Sequence, residues 1–148
     1  MKYKPRIILF LLALPLLGFL LSFSIYVSSF SPSGTTELCL SGGDTCSSVM
    51  NSSFGEFMGI PMSLWGSFYF LWVLTLLFLI FKDWLPEDKA EHILMLTLGA
   101  GLTTSAILIS AMIFVLKKLC GSCLAVHTVN IVLVASVLYF RNSWSSPN

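Results

Sequence analysis

A chain of 148 residues has room for one domain. With 56% apolar residues, only 10% charged and a mean hydropathy of +0.89, it cannot be a water-exposed globule, which carries about a quarter charged residues. The formal net charge of +1 sets up no field that would hold nucleic acid.

The few charges stand between four long uncharged runs: Ile7–Phe30, Phe57–Phe81, Ile93–Leu116 and Leu119–Phe140. Each is longer than the roughly 20 residues that cross a hydrocarbon core. In that core every backbone N–H and C=O must be bonded internally, so each run is predicted to be a helix. The reading is an all-α membrane protein, one domain over 1–148, with spans at about 7–30, 62–81, 93–116 and 120–140.

The first run could open a signal peptide, since Met1–Arg6 is basic. A signal core is about 7–15 residues and ends at a small-x-small site. This run is much longer and no such site follows, so it is read as a retained span. Pro15 is expected to kink it, because proline removes one helical bond.

The outer segment 31–61 comes next. Ser41-Gly-Gly-Asp44 is turn-rich and expected to be mobile. From Cys46 to Pro61, Val49, Met50, Phe54, Phe57, Met58 and Ile60 recur at roughly helical steps. They suggest a short amphipathic helix lying on the membrane surface. Asn51-Ser-Ser53 is a glycosylation sequon, read as unused so close to the membrane.

Helix two opens Pro61-Met-Ser-Leu-Trp-Gly66 and continues through Phe68, Tyr69, Phe70 and Trp72. These aromatics form an interface belt by default, with the alternative of walling a flat ring ligand. Helix three carries Gly101-x-x-x-Ser105 and Ala106-x-x-x-Ser110, patterns that allow close helix packing.

Four spans put both termini on one side. That side holds Lys2, Lys4, Arg6, Lys82, Lys89 and Arg141, against Lys117 and Lys118 on the other. The imbalance predicts cytoplasmic termini. Cys39, Cys46, Cys120 and Cys123 then all fall on the non-cytoplasmic side, where disulfides persist.

Two structural disulfides would account for Cys39 and Cys46. They account poorly for Cys120-Gly-Ser-Cys123, because so small a loop removes little entropy from the unfolded chain. At a helix N-terminus the exposed N–H groups and the dipole stabilise a thiolate, and Lys117 and Lys118 add positive charge. The pair therefore points to thiol–disulfide exchange. A zinc site is disfavoured, since the other pair is not short-spaced.

Along helix four, Cys120, Cys123, His127 and Asn130 follow at steps of three, four and three, which keeps them on one face. His127 lies roughly 10 Å deeper than Cys120. It is read as a donor to a ligand carbonyl or a proton carrier, against the plainer role of a packing histidine. Asn130 divides evenly between that site and ordinary interhelical bonding.

These residues resemble the vitamin K epoxide reductase family. Cys39 and Cys46 lie in the loop after helix one; Cys46-Ser-Ser-Val49 is followed by Ser52, Ser53 and Phe54; Gly59-Ile-Pro61, Ser63 and Gly66 open helix two; Cys120-x-x-Cys123 opens helix four, with Asn130 downstream. The compact loop is closer to bacterial than to animal members. The order of motifs differs from the DsbB type, which carries its quinone-side pair beside helix two. The resemblance implies a quinone-dependent oxidoreductase that re-oxidises a thioredoxin-fold, DsbA-like partner, with ubiquinone or menaquinone as acceptor and no metal. Cys120 and Cys123 would be the active pair, with Cys123 toward the quinone, Cys120 exchanging with Cys46, and Cys39 meeting the partner. His127, Asn130, Met62 and Trp65 make up the candidate quinone site. Met62 stands where members often carry a quinone-bonding asparagine, and His127 where they often carry a tyrosine. The expected location is the bacterial inner membrane, with the endoplasmic reticulum as alternative. The rivals are a quinone-epoxide reductase and a non-catalytic four-span scaffold.

Overall fold

The computed structural model describes residues 5–28 and 49–144, so Cys39, Cys46 and the Ser41–Asp44 stretch lie outside the described residues. The elements are α1 (Pro5–Ser28), β1 (Glu56–Phe57), β2 (Ile60–Pro61), α2 (Met62–Phe81), α3 (Glu87–Ser110), a π-helix (Ala111–Leu116) and α4 (Gly121–Trp144). Among the described residues, four helical stretches are long and apolar enough to cross a membrane: Arg6–Ser28, Met62–Phe81, Lys89–Leu116 and Gly121–Phe140. Outward-facing side chains such as Phe68, Trp72, Phe114 and Tyr139 are exposed, as suits a lipid-facing surface.

The spans follow the apolar runs, with differences at their ends. α1 runs unbroken through Pro15. α3 starts earlier than hydropathy suggests, because its first turn is charged and stands outside the apolar run. The six residues that continue the span after α3, Ala111–Leu116, are π-helical, a form that recurs at functional sites. Lys117, at φ 51 and ψ 31, stops that segment.

The amphipathic helix expected over Cys46–Pro61 reaches only Met50 among the described residues. Turns follow, and then a hairpin pairs Glu56 with Pro61 and Phe57 with Ile60. The Met58–Gly59 loop has φ of 56 and 77, the two positive values of a type I′ turn. Two glycines, each about 1 kcal/mol unfavourable inside a helix, and Ile60 standing before a proline turn this stretch away from helix. The hairpin leads directly into α2, whose Met62 N–H bonds to the Gly55 carbonyl at 2.8 Å.

α1 packs most extensively on α2 and next on α4, while α3 packs on α2 and α4. The connections over 82–86 and 117–120 are short, as in antiparallel neighbours. At the α1–α2 contact a Cβ on Gly18 would come within 2.5 Å of the Phe70 ring. Beside it, the Ser22 hydroxyl donates to the Ser63 carbonyl at 2.7 Å.

All four helices build one core: Leu11 from α1; Phe70, Val73 and Leu77 from α2; Leu94 and Leu98 from α3; Leu133 and Val137 from α4. These positions lie early in α1 and α3 and in the middle or later part of α2 and α4. The core therefore seals the end of the bundle that holds the start of α1 and the end of α4. A second cluster, Val49, Met112 and Cys120, sits at the opposite end.

Candidate functional site

A cavity of about 740 Å³ occupies that opposite end. It draws on the late part of α1, the early part of α2, the late part of α3 and the early part of α4, with the residue 49–61 segment across it. Its size is in the range of small-molecule sites.

Cys120 is the N-cap of α4. Its carbonyl accepts the first helical bond, from the Leu124 N–H at 2.9 Å, and its Sγ accepts the Cys123 N–H at 3.4 Å. This sulfur thus occupies the place of a capping oxygen, where N–H groups and the helix dipole favour negative charge. Cys120 is fully buried and packs with Val49 and Met112. Cys123, one turn deeper, carries a free thiol and lines the cavity.

The polar stripe of α4 therefore divides. Cys123, His127 and Asn130 line the cavity, whereas Cys120 sits at its edge under Val49. Met62 and Trp65 also line it. Trp65 meets Phe57 of the hairpin edge-on, with ring centroids 6.2 Å apart, so the hairpin closes over the mouth. The α2 aromatics split by face: Trp65, Tyr69 and Phe70 border the cavity, while Phe68 and Trp72 stand outside.

Two features suit a flat ring with oxygen acceptors. The first is this aromatic wall. The second is Ser63, a residue of the cavity lining whose buried Oγ has no hydrogen-bond partner. A donor left so is unfavourable by about 1–3 kcal/mol unless something else satisfies it. The Met62 side chain beside it brings no hydrogen-bonding group of comparable strength.

A family model described as the vitamin K epoxide reductase family matches residues 9–138. The chain belongs to the vitamin K epoxide reductase family. No individual curated relative matches it. Membership brings quinone-linked thiol oxidoreductase chemistry in general, exercised with a thioredoxin-like partner. With four apolar helices it also makes the chain a multi-pass membrane protein.

In this member of the vitamin K epoxide reductase family the cavity carries a hydrogen-bonded chain that sequence reasoning did not assemble. The Tyr69 hydroxyl donates to Asn130 Oδ1 at 2.9 Å. Asn130 Nδ2 donates to Ser105 Oγ at 3.0 Å. Ser105 Oγ stands 3.1 Å from His127 Nδ1. Tyr69 reads from sequence as belt by default, with a wall for a flat ring ligand as the alternative, and Ser105 as packing. The signal that could have joined them is Gly101-x-x-x-Ser105: a Cβ on Gly101 would collide with the Tyr69 hydroxyl. The small residue makes room for a side chain from α2 rather than for a bare helix.

Proposed function

We propose that this protein is a quinone-dependent thiol–disulfide oxidoreductase of the bacterial cytoplasmic membrane that re-oxidises a thioredoxin-fold partner. Its termini are cytoplasmic and its disulfide chemistry is extracytoplasmic. The observation that carries this reading is the placement of the two sulfurs. Cys123 borders an aromatic cavity, while Cys120 caps the same helix beneath Val49. Cys46 precedes Val49 by three residues. At no more than about 3.6 Å per residue, Cys46 can stand at most about 11 Å from Val49, which packs with Cys120.

The steps balance as exchanges. A reduced partner thiolate attacks the Cys39–Cys46 disulfide, and the partner's second thiol resolves the mixed disulfide. The partner leaves oxidised, with Cys39 and Cys46 as thiols. Cys46 then attacks Cys120 of the Cys120–Cys123 disulfide, and Cys123 leaves as thiolate at the cavity wall. Cys39 attacks Cys46 and frees Cys120, whose sulfur returns to the Cys123 N–H. That bond favours the Cys120 thiolate and so makes it a good leaving group. A bound quinone supplies an acceptor for two electrons and two protons. Cys120 and Cys123 give up that pair of electrons as they close to a disulfide. Trp65 and Tyr69 flank the ring, and Ser63 and His127 offer donors to its oxygens. A DsbA-like partner is itself a strong oxidant, at about −120 mV, so only a stronger acceptor can recycle it.

Acid-trapped thiol labelling tests the reading. Withdrawing quinone is expected to make reduced cysteines accumulate, and restoring it to clear them. A scaffold with structural disulfides would stay oxidised throughout, and that outcome would refute the proposal.

Ser63→Ala separates affinity from stability. Loss of one hydrogen bond to a ring oxygen is expected to raise the quinone KM by about three- to tenfold. The unfolding midpoint is expected to hold or rise, because an unpartnered buried hydroxyl has gone. A lowered midpoint with unchanged KM would show that Ser63 serves the fold instead.

A further inference from the structure

We propose that Ser105 is a positioning residue that holds His127 as the Nε2–H tautomer, with Tyr69 and Asn130 setting the direction of the hydrogen-bonded chain. This rests on the quinone reading above, because the purpose of that tautomer is to present Nε2–H to an oxygen of the ring.

The direction begins at Tyr69. Its hydroxyl donates to Asn130 Oδ1, which leaves the amide nitrogen to point at Ser105. Ser105 Oγ therefore accepts from Asn130 Nδ2, and its own single proton remains to be placed. Neighbouring hydroxyls on α3 send theirs back along the helix: Thr97 to the Ile93 carbonyl at 2.8 Å, Thr103 to Gly99 at 2.9 Å, Thr104 to Ala100 at 3.0 Å. Ser105 has His127 Nδ1 at 3.1 Å instead. A proton donated there makes Nδ1 the acceptor and places the ring's own proton on Nε2. With Nδ1 held against α3 and the imidazole bordering the cavity, Nε2–H is the donor left for a ligand.

The opposite direction is chemically self-consistent, which makes the proposal sharp. Were the Asn130 amide reversed, Nδ2 would donate to the tyrosine oxygen and Ser105 to Oδ1. Ser105 would then accept from Nδ1–H, and Nε2 would face the cavity as a bare lone pair, repelling a carbonyl oxygen. One amide orientation thus decides whether His127 attracts or rejects the ring. The order Tyr69, Asn130, Ser105, His127 crosses α2, α4, α3 and back to α4, so it also registers three helices around the cavity.

The test is nitrogen-15 NMR of histidine-labelled protein in detergent, above the imidazole's ordinary pKa of about 6.5. The chain has two histidines, so a His92→Gln background leaves His127 alone; His92 is exposed. Couplings from the ring carbons' protons identify which nitrogen bears hydrogen. The expected result is a protonated Nε2 and an Nδ1 signal shifted by an accepted hydrogen bond. Ser105→Ala moves Nδ1 toward the free acceptor, and Ser105→Thr keeps the shift. In turnover, Ser105→Ala raises the quinone KM about three- to tenfold and changes kcat less. A wild-type Nδ1–H, or an Nδ1 signal unmoved in Ser105→Ala, overturns the positioning role even if quinone turnover is intact. If the NMR signature holds but quinone neither turns over nor perturbs the His127 signals, the positioning stands and the quinone reading fails.

Discussion

Cys120→Ala is expected to abolish quinone reduction driven by a reduced protein partner, with a loss of about three orders of magnitude or more, as for removal of other covalent relay groups. Cys123 still borders the cavity in this variant, but nothing links it to Cys46. Cys123→Ala loses as much turnover by a different route. It has no Cys120–Cys123 disulfide, so the Cys120 thiolate attacks Cys46 of the Cys39–Cys46 disulfide and Cys39 leaves as a thiol. The resulting intrachain Cys46–Cys120 disulfide has no Cys123 to resolve it and accumulates. Non-reducing peptide mapping distinguishes the two variants. Full turnover in Cys120→Ala, or a Cys46–Cys123 bond in its place, would show that the order of sulfurs is wrong. The fold is expected to tolerate either change. Cys120→Ala removes one capping bond, worth about 1 kcal/mol, and a small buried side chain.

Gly101→Ala is expected to part company with Gly99→Ala. Both substitutions add helix propensity of about 1 kcal/mol. A Cβ at Gly99 meets nothing within 4 Å, so that variant is expected to be neutral or more stable. A Cβ at Gly101 meets the Tyr69 hydroxyl and ring. Tyr69 has little freedom to retreat: its hydroxyl is bonded to Asn130 and its ring stands edge-on to Phe70, with centroids 5.2 Å apart. Overpacking of this kind costs about 1–3 kcal/mol. Net of the propensity gain, about 0–2 kcal/mol of destabilisation remains, so at about 2–4 °C per kcal/mol for a chain of this size the thermal midpoint falls by up to about 8 °C and lies below that of Gly99→Ala. Because Tyr69 orients the amide beside the cavity, the quinone KM is expected to rise about tenfold in parallel. A Gly101→Ala protein as stable and as active as Gly99→Ala would mean that Tyr69 is not held where the structure has it.

Much of the site was legible one helix at a time. Cys123, His127 and Asn130 share a face because their spacing repeats the helical period, and that needs no tertiary information. Met62 follows from the family resemblance and Trp65 from the aromatic opening of helix two, and both border the cavity. Cys120 on the same stripe is different. As the last residue before α4 it is an N-cap, and its sulfur turns back onto the Cys123 N–H instead of into the cavity. The hairpin at Glu56–Pro61 escaped the helical pattern of its apolar residues because its turn is Met-Gly, without the Asn or Asp that usually announces such a loop.

What the sequence determined by itself is the membrane architecture and the helix that bears the reactive pair. Long uncharged runs have only one way to satisfy their backbone in lipid, and a Cys-x-x-Cys at a helix start has a local electrostatic meaning. What only the tertiary structure decided is which polar groups meet. Tyr69, Ser105 and His127 come from three helices, and Ser63, in the same cavity lining, keeps a buried hydroxyl without a hydrogen-bond partner. Periodicity reports the face a residue occupies on its own helix. The residue across from it depends on how the helices are rotated and how closely they approach, and here glycines such as Gly18 and Gly101, each packed against an aromatic ring of α2, set that approach.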